Sequence, residues 1–140
     1  MLLKIMSERG AYKLYSYVLA HDSGFVPNSF GSYYTLACCK PKIRKNTKIG
    51  DWIVGTGSKR NVGNVRLIYV IGVTKKITFE QYANDGRFTS KIPSQGVIEE
   101  GGDNVYYRNA NGMWIQRVSY HAKEHVAHDL SESIETILPF

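Results

Sequence analysis

Short apolar stretches, separated by Gly, Asn and Asp, recur along the 140-residue chain. This spacing is typical of β-strands rather than of long helices. It predicts strands at 12–20, 52–57, 66–75, 104–108 and 113–118, with a further candidate at 134–138. The stretch RLIYVIGVT within the third strand is apolar almost throughout, which predicts burial on both faces. The pair Asn111-Gly112 is a strong hairpin signal between the strands on either side of it.

One helix is indicated among the strands. The segment TFEQYAN at 78–84 predicts a short helix, with Thr78 as its N-cap and Gln81 at the capping-box position. About six short strands, few helices and many glycine turns predict an α+β, mostly β fold. We expect a small bent β-barrel, mostly antiparallel, with one or two short helices. The length fits a single domain over 1–140.

Positive charge is concentrated in one segment of the chain. Residues 40–76 contain ten Lys and Arg against the single acidic residue Asp51, while the whole chain carries a net charge of +6. Clustered Lys and Arg are the groups that contact the phosphates of nucleic acids. A solvated hairpin whose lysines protect an edge strand is the alternative. Charge alone leaves both interpretations open.

The apolar stretches also bear on where the protein acts. None is long enough for a membrane-spanning helix, and the apolar part of the N-terminal MLLKIMSERG is too short for a signal peptide. We therefore expect a cytoplasmic protein without a membrane partner. Cys38 and Cys39 are adjacent, so they cannot build a disulfide framework, and we expect buried or half-buried thiols.

Few motifs in the chain point to specific chemistry. GTGSK at 55–59 lacks the spacing of a Walker loop, although Gly55 and Gly57 permit close approach by a ligand or by a neighbouring strand. Three histidines at 121, 125 and 128 are spaced for one helical face, but the helical pattern there is weak. We expect them to be surface or hydrogen-bonding residues rather than metal ligands, and we expect no cofactor. No nucleophile with an adjacent base can be identified.

Aromatic residues provide the second indication of a ligand. Six of them lie in or beside Gly-rich or polar turns: Tyr33, Tyr34, Trp52, Tyr106, Tyr107 and Trp114. Exposed rings stack on nucleic-acid bases of any sequence, with about 1–3 kcal/mol per base. The alternative is that Trp52 and Trp114 belong to the core of a small barrel.

Several segments together resemble a known family. They are DSGFVPNSFGSYYTLACCKPKIRKNTKIGDWIVGTGS at 22–58, YANDGRF at 82–88, GDNVYY at 102–107 and MWIQRVSYH at 113–121. They resemble the second family of nucleotide modification associated domains, which occurs in bacteria, archaea and phages. The GDWIVGTGS strand is also similar to an element of EVE, ASCH and PUA domains, small β-barrels whose cleft holds RNA or a flipped modified base. The family further implies an additional stretch after IETILPF.

The resemblance implies a set of ligand-binding residues. Carried over position by position, they are Lys40, Arg44, Trp52, Gly55, Gly57, Ser58, Asp103, Asn104, Trp114 and His121. The two cations would neutralise phosphate, with the arginine suited to bidentate contact. One of the two tryptophans would stack a base. The remaining polar side chains of the set would recognise the polar edge of that base.

The function that follows from these observations is a binding module. It would recognise modified nucleotides or modified bases in nucleic acid, modified DNA included, through a basic face and an aromatic-lined cleft. An enzyme acting on a nucleotide or modified base is the alternative, with Lys40, Asp103 or His121 as reactive groups. An interaction protein that uses the fold without a nucleotide is a third class. Product formation on candidate substrates separates the enzyme from the binding module.

Overall fold

The computed structural model describes residues 3–7, 10–19, 27–58, 66–94, 101–119, 129–130 and 135–139. The strands in these ranges are β1 (Leu3–Ser7), β2 (Gly10–Leu19), β3 (Trp52–Gly57), β4 (Leu67–Thr78), β5 (Tyr106–Arg108), β6 (Trp114–Gln116) and β7 (Glu135–Pro139). The helices are α1 (Pro41–Asn46), α2 (Phe79–Asn84) and a 3-10 helix at Gly86–Lys91. The predicted class, mostly β with short helices, is confirmed, and each predicted strand has a counterpart within a few residues.

Five strands form one sheet, in the order β1-β2-β3-β4-β7, and β5 and β6 form a separate hairpin. β2 and β3 run parallel, and all the other paired strands are antiparallel. Parallel neighbours need a long crossover, which the chain makes through α1 between β2 and β3. The sheet is mostly antiparallel, as predicted. The described strands do not close the predicted barrel, because β1 and β7 remain as its two edges.

The central strand β3 alternates between two faces of this sheet. Trp52 is 41% exposed on the outer face, while the next residue, Ile53, is fully buried on the inner face. The inner face packs as one apolar cluster made of Leu36, Ile53, Ile71 and Val73, which Ile43 of α1 covers. β4 was expected to be buried on both faces, and this is wrong. Leu67 and Val70 are 60% and 45% exposed, because the outer face stays accessible to solvent along β4.

A second apolar core lies between α2 and the hairpin of β5 and β6. Its buried members are Ala37, Cys38, Ile77, Phe79, Tyr82, Phe88, Val105 and Tyr106. The predicted capping box at the start of α2 is confirmed. The Thr78 hydroxyl accepts from the Gln81 N–H at 3.1 Å, and the Gln81 side-chain oxygen accepts from the Thr78 N–H at 2.9 Å. Two backbone donors are thereby satisfied at the helix start.

The hairpin turns at the predicted Asn-Gly pair. Gly112 has a φ of 75°, a left-handed conformation that glycine adopts with little strain. The side-chain oxygen of Asn109 accepts from the backbone N–H groups of Asn111 and Met113, both at 3.0 Å. These bonds fix the short strands β5 and β6 against each other.

Three elements were not predicted from the sequence, namely α1, β1 and the 3-10 helix at Gly86–Lys91. α1 is short and strongly basic, and its apolar contact with the sheet rests on Ile43, so it lacks the repeated apolar spacing of a helix. Pro41 at its first position is the one start signal. β1 pairs antiparallel with β2, with Leu3 opposite Leu14. It lies in the N-terminal apolar stretch, which is long enough for an edge strand.

Candidate functional site

Helix α1 and the turn after it form an exposed cationic face. Lys42, Lys45 and Lys48 are exposed, and none forms an ion pair with a described residue. The first turn of α1 holds no acidic side chain. Lys42 and Lys45 are three residues apart on α1 and so lie on the same side of the helix, and Lys48 follows just after its end. We call Lys42, Lys45 and Lys48 the lysine face.

Arg44 points in the opposite direction and is fully buried. Its Nε donates to the Cys39 carbonyl and its Nη2 to the Asp129 carbonyl, each at 3.0 Å. The Asp129 carboxylate lies 3.7 Å from the same Nη2, and the Phe79 ring lies 5.1 Å from the guanidinium. Burial lowers the pKa of Arg44, and the charge of Asp129 opposes this shift. The structure thus places Arg44 inside the protein, not on the surface where a phosphate could reach it.

Asp129 also holds the chain that leads into α1. Its Oδ2 accepts from the Tyr106 hydroxyl at 2.7 Å and from the Cys39 N–H at 3.2 Å. Cys39 and Lys40 have φ values of 59° and 47°, which are left-handed conformations that cost energy for residues with a side chain. The bonds to Asp129 and Arg44 stabilise this tight bend. The bend directs the Lys40 ammonium over the Tyr17 ring, 4.7 Å from its centroid.

Gly55 lies beneath the ring of Tyr69, which packs against Tyr17. Tyr17 and Tyr69 meet edge to face with 5.9 Å between ring centroids. A Cβ atom on Gly55 would overlap the Tyr69 ring and approach Leu19. The space that Gly55 leaves open is therefore filled by the side chains of Tyr69 and Leu19.

Gly57 and Ser58 end the strand. The Gly57 N–H donates to the Arg66 carbonyl at 2.8 Å, which continues the bonding between β3 and β4. Ser58 follows, and its Oγ is buried without a hydrogen-bond partner among the described residues. Gly57 thus takes part in the pairing of β3 with β4, whereas Ser58 places a buried hydroxyl at the carboxyl end of β3.

Trp52 lies on the side of the sheet away from α1. Its ring lies over Gly72 of the neighbouring strand, 3.7 Å from where a Cβ would be. Trp52 and the lysine face are connected round the turn at 48–51. The Asp51 carboxylate fixes this turn by accepting from the Lys48 N–H at 2.8 Å and from the Lys13 N–H at 2.9 Å. The basic segment and Trp52 therefore occupy two sides of one fixed turn rather than one wall of a cleft.

Asp103 belongs to a buried hydrogen-bond network. It accepts from the Thr35 hydroxyl at 2.7 Å, the Tyr82 hydroxyl at 2.6 Å and the Ala37 N–H at 3.2 Å. Burial raises the pKa of Asp103, and the charge of Lys91 and the three donors oppose this shift. Lys91 is itself buried, which lowers its pKa, and it donates to the Asn28 side-chain oxygen at 2.8 Å. This network fixes the segment at 35–37 in the core.

The remaining predicted site residues are dispersed. Asn104 is buried and donates to the Tyr82 carbonyl at 3.1 Å, while its Oδ1 has no partner in the described part of the chain. Trp114 is half-buried, with the Arg108 guanidinium 4.5 Å from its ring. His121 lies outside the described residues. The described members of the predicted set do not converge on one cleft.

A polar pocket that the sequence did not predict lies where β4 meets α2. It has a volume of about 530 Å³ and is lined by Lys75, Lys76, Ile77, Gln81, Asn84, Asp85 and Arg87. The Lys76 ammonium donates to the Thr47 carbonyl at 3.0 Å, just beyond the end of α1. The pocket therefore adjoins the lysine face. Its only sequence signal is the Lys75-Lys76 pair before the capping box, which contributes to the net charge of the basic segment without indicating a pocket.

Neither a metal centre nor a membrane span is found in the described ranges. Among the residues that the structure describes, no three His, Cys, Asp or Glu side chains are placed to hold a metal ion. None of the helices in this part of the chain is long and apolar enough to cross a membrane.

Comparison with known proteins gives one match. The model of the family described as nucleotide modification associated domain 2 matches residues 11–136. No curated protein matches the chain, and no solved structure matches it. The likeness to EVE, ASCH and PUA barrels thus stays a prediction.

Proposed function

Because the chain belongs to the nucleotide modification associated domain 2 family, we propose that it binds nucleic acid or nucleotides that carry a modified base. The family description ties the domain to nucleotide modification, and the surface chemistry of the chain supports a phosphate-containing ligand. The proposed interface consists of the lysine face, the turn at 48–51 and Trp52.

The distribution of charge between interior and surface carries this proposal. Of the five acidic residues whose side chains are described, Asp51, Asp103 and Asp129 are buried. The three members of the lysine face are exposed and unpaired among the described residues. Unpaired surface lysines can neutralise phosphates and release the counterions that these hold. The lysine face thus presents positive charge to solvent, while Asp51 and the Arg44–Asp129 pair are buried beneath it.

Trp52 supplies the aromatic part of the interface. It is 41% exposed and follows the turn that begins at Lys48. A strand whose phosphates contact the lysine face can pass round this turn and place a base on the Trp52 ring. Base stacking on such rings contributes about 1–3 kcal/mol and tolerates modified bases, because every base has a π-face.

Salt-dependent binding tests the proposal. Fluorescence anisotropy would compare labelled oligonucleotides, single-stranded and duplex, with cytosine or 5-hydroxymethylcytosine, at several salt concentrations. We expect Lys42→Ala/Lys45→Ala to weaken binding and to reduce the salt slope by about 0.7–0.9 for each phosphate that the variant no longer neutralises. Arg108→Ala, which removes an exposed charge from β5, is the control for net charge.

Three results would contradict the proposal in different ways. An unchanged slope in the double variant removes the lysine face from the interface. If Arg108→Ala loses as much affinity per removed charge as the double variant, the lysine face contributes only through the net charge of the protein. Equal affinity for modified and unmodified oligonucleotides contradicts the preference for a modified base but leaves binding to the polymer intact.

A further inference from the structure

Residues 29–34 form a largely exposed loop that is closed at its base. The residues on either side of it pair through the backbone. The Asn28 N–H donates to the Thr35 carbonyl at 2.8 Å, and the Thr35 N–H donates to the Asn28 carbonyl at 3.0 Å. Two large rings of the loop, Phe30 and Tyr34, are 45% and 47% exposed, and neither belongs to the interface proposed above. We call residues 29–34 the aromatic loop.

Buried polar and charged groups hold the base of the aromatic loop. The Lys91 ammonium donates to the Asn28 side-chain oxygen at 2.8 Å and to the Asn28 carbonyl at 3.2 Å. The Thr35 hydroxyl donates to the Asp103 carboxylate at 2.7 Å. All four of these residues are buried. Buried charges add little stability compared with a well-packed apolar core, so their benefit here lies in fixing the position of the loop.

The aromatic loop is also held along its length. The Phe30 N–H donates to the Asn28 side-chain oxygen at 3.2 Å. Gly31 has a φ of 77° and lies so close to the 3-10 helix that a Cβ atom on it would be 2.9 Å from the Ser90 hydroxyl oxygen. The Tyr33 ring packs edge to face on Phe88, with 5.4 Å between ring centroids. The exposed rings therefore sit on a fixed backbone, which reduces the entropy lost when a partner binds.

The position of the loop in the chain favours a nucleic-acid partner. Residues 27–40 contain no acidic side chain and lead directly into α1 and its lysine face. Thr35 and Lys40 are five residues apart, so even a fully extended chain would separate them by at most about 18 Å. Successive phosphates of a DNA strand are about 3.4 Å apart along the helix axis. A strand of roughly six nucleotides therefore suffices to connect the start of α1 with the base of the loop.

We propose that the aromatic loop binds a single-stranded segment of nucleic acid, with Phe30 and Tyr34 stacking on its bases while the lysine face contacts its phosphates. Side chains stack on bases that are unpaired, because the bases of a duplex are already stacked on one another. This proposal rests on the proposed function for the nature of the polymer. It adds a second contact surface and specifies the single-stranded state of the ligand.

Fluorescence anisotropy with three labelled probes tests the loop. They are a single strand of about twelve nucleotides, the same backbone with every base removed, and the corresponding duplex. We expect Phe30→Ala and Tyr34→Ala each to weaken binding of the single strand at least about fivefold, the lower end of what one stacked base contributes. The abasic strand and the duplex offer no base to these rings, so their affinities should change less than about twofold. The salt slope should stay at its wild-type value, because neither ring neutralises a phosphate.

Matched variants separate ring stacking from general apolar contact. Tyr34→Phe keeps the ring and should bind the single strand within about twofold of the wild type. Tyr34→Leu keeps an apolar side chain without a ring, so it should lose about as much affinity as Tyr34→Ala. Met113→Ala removes an exposed apolar side chain from the turn of the hairpin and is the control that should leave affinity unchanged. Thermal melts should show all these variants folded, because the replaced side chains are exposed.

Each contrary result overturns a defined part of the proposal. If Lys42→Ala/Lys45→Ala weakens binding of the single strand but neither loop variant does, the aromatic loop is not a contact and the proposed function stands. If Tyr34→Ala weakens the abasic strand as much as the intact one, or if Tyr34→Leu keeps wild-type affinity, base stacking is wrong. An equal loss with the duplex contradicts the single-stranded state. If sedimentation shows a dimer that Phe30→Ala dissociates while strand affinity is unchanged, the loop joins two copies of the chain instead. If no oligonucleotide binds the wild type, this proposal and the proposed function both fail.

Discussion

Replacing Arg44 should affect the stability of the fold far more than it affects a ligand. The side chain is fully buried, its Nε and Nη2 donate to two carbonyl groups, and its charge lies against the Asp129 carboxylate. Arg44→Ala removes these donors and leaves the carboxylate buried without its counter-charge. Breaking one side of a buried ion pair costs about 3–5 kcal/mol. At about 2–4 °C per kcal/mol, the melting temperature should fall by on the order of 10 °C.

Urea unfolding followed by circular dichroism measures this loss. Lys45→Ala is the matched control, because Lys45 is the next residue on α1, is exposed, and should change stability by less than about 0.5 kcal/mol. Arg44→Lys keeps the positive charge but cannot reach both carbonyl groups with one ammonium, so we expect an intermediate loss. The three variants together separate the contribution of charge from that of the guanidinium geometry.

Two results would refute this explanation of Arg44. The free energy of unfolding of Arg44→Ala could lie within about 1 kcal/mol of the wild-type value, well under the cost of breaking a buried ion pair. In that case the guanidinium does not hold α1 against the protein. If that variant keeps its stability and loses phosphate-dependent affinity, Arg44 is a ligand contact, as the sequence had suggested.

Two further substitutions test the sheet around β3. Gly55→Ala should destabilise the protein by about 1–3 kcal/mol, because the added methyl group overlaps Tyr69 and Leu19. Urea unfolding would measure this loss. Unchanged stability would mean that the two side chains move aside. Trp52→Ala should cost less than the roughly 3–5 kcal/mol of a buried tryptophan, since its ring is 41% exposed. The same variant should lose about 1–3 kcal/mol of oligonucleotide binding, and a folded variant with wild-type affinity would remove Trp52 from the interface.

The features that the sequence predicted correctly are those determined within a few neighbouring residues. The capping box depends on Thr78 and Gln81, which are three positions apart. The hairpin depends on Asn109 bonding to residues two and four positions later. Such local contacts leave a readable pattern, because each residue type is favoured there for a reason that its immediate neighbours supply.

The candidate site was harder to predict, because its residues depend on distant partners. Arg44 and the Asp129 carbonyl are 85 positions apart, and charge counting could not show that one cation of the basic segment turns inward. The face of β3 that carries Trp52 depends on which side α1 covers. The pocket combines side chains of β4 and α2 with those at the start of the 3-10 helix. Composition predicts a phosphate-containing ligand, but it could not indicate which of these side chains lie together.

The exposure of the lysines on α1 and the burial of the two acids that contact its ends have one physical cause. Asp129 accepts from the Cys39 N–H and accompanies Arg44 at the start of α1, and Asp51 accepts from the Lys48 N–H at its end. These two carboxylates fix both ends of the helix from inside the protein. The lysines between them need no acidic partner on the surface to stay in place. Their charge therefore remains available for an external anion, and the stability of the segment and its affinity depend on different side chains.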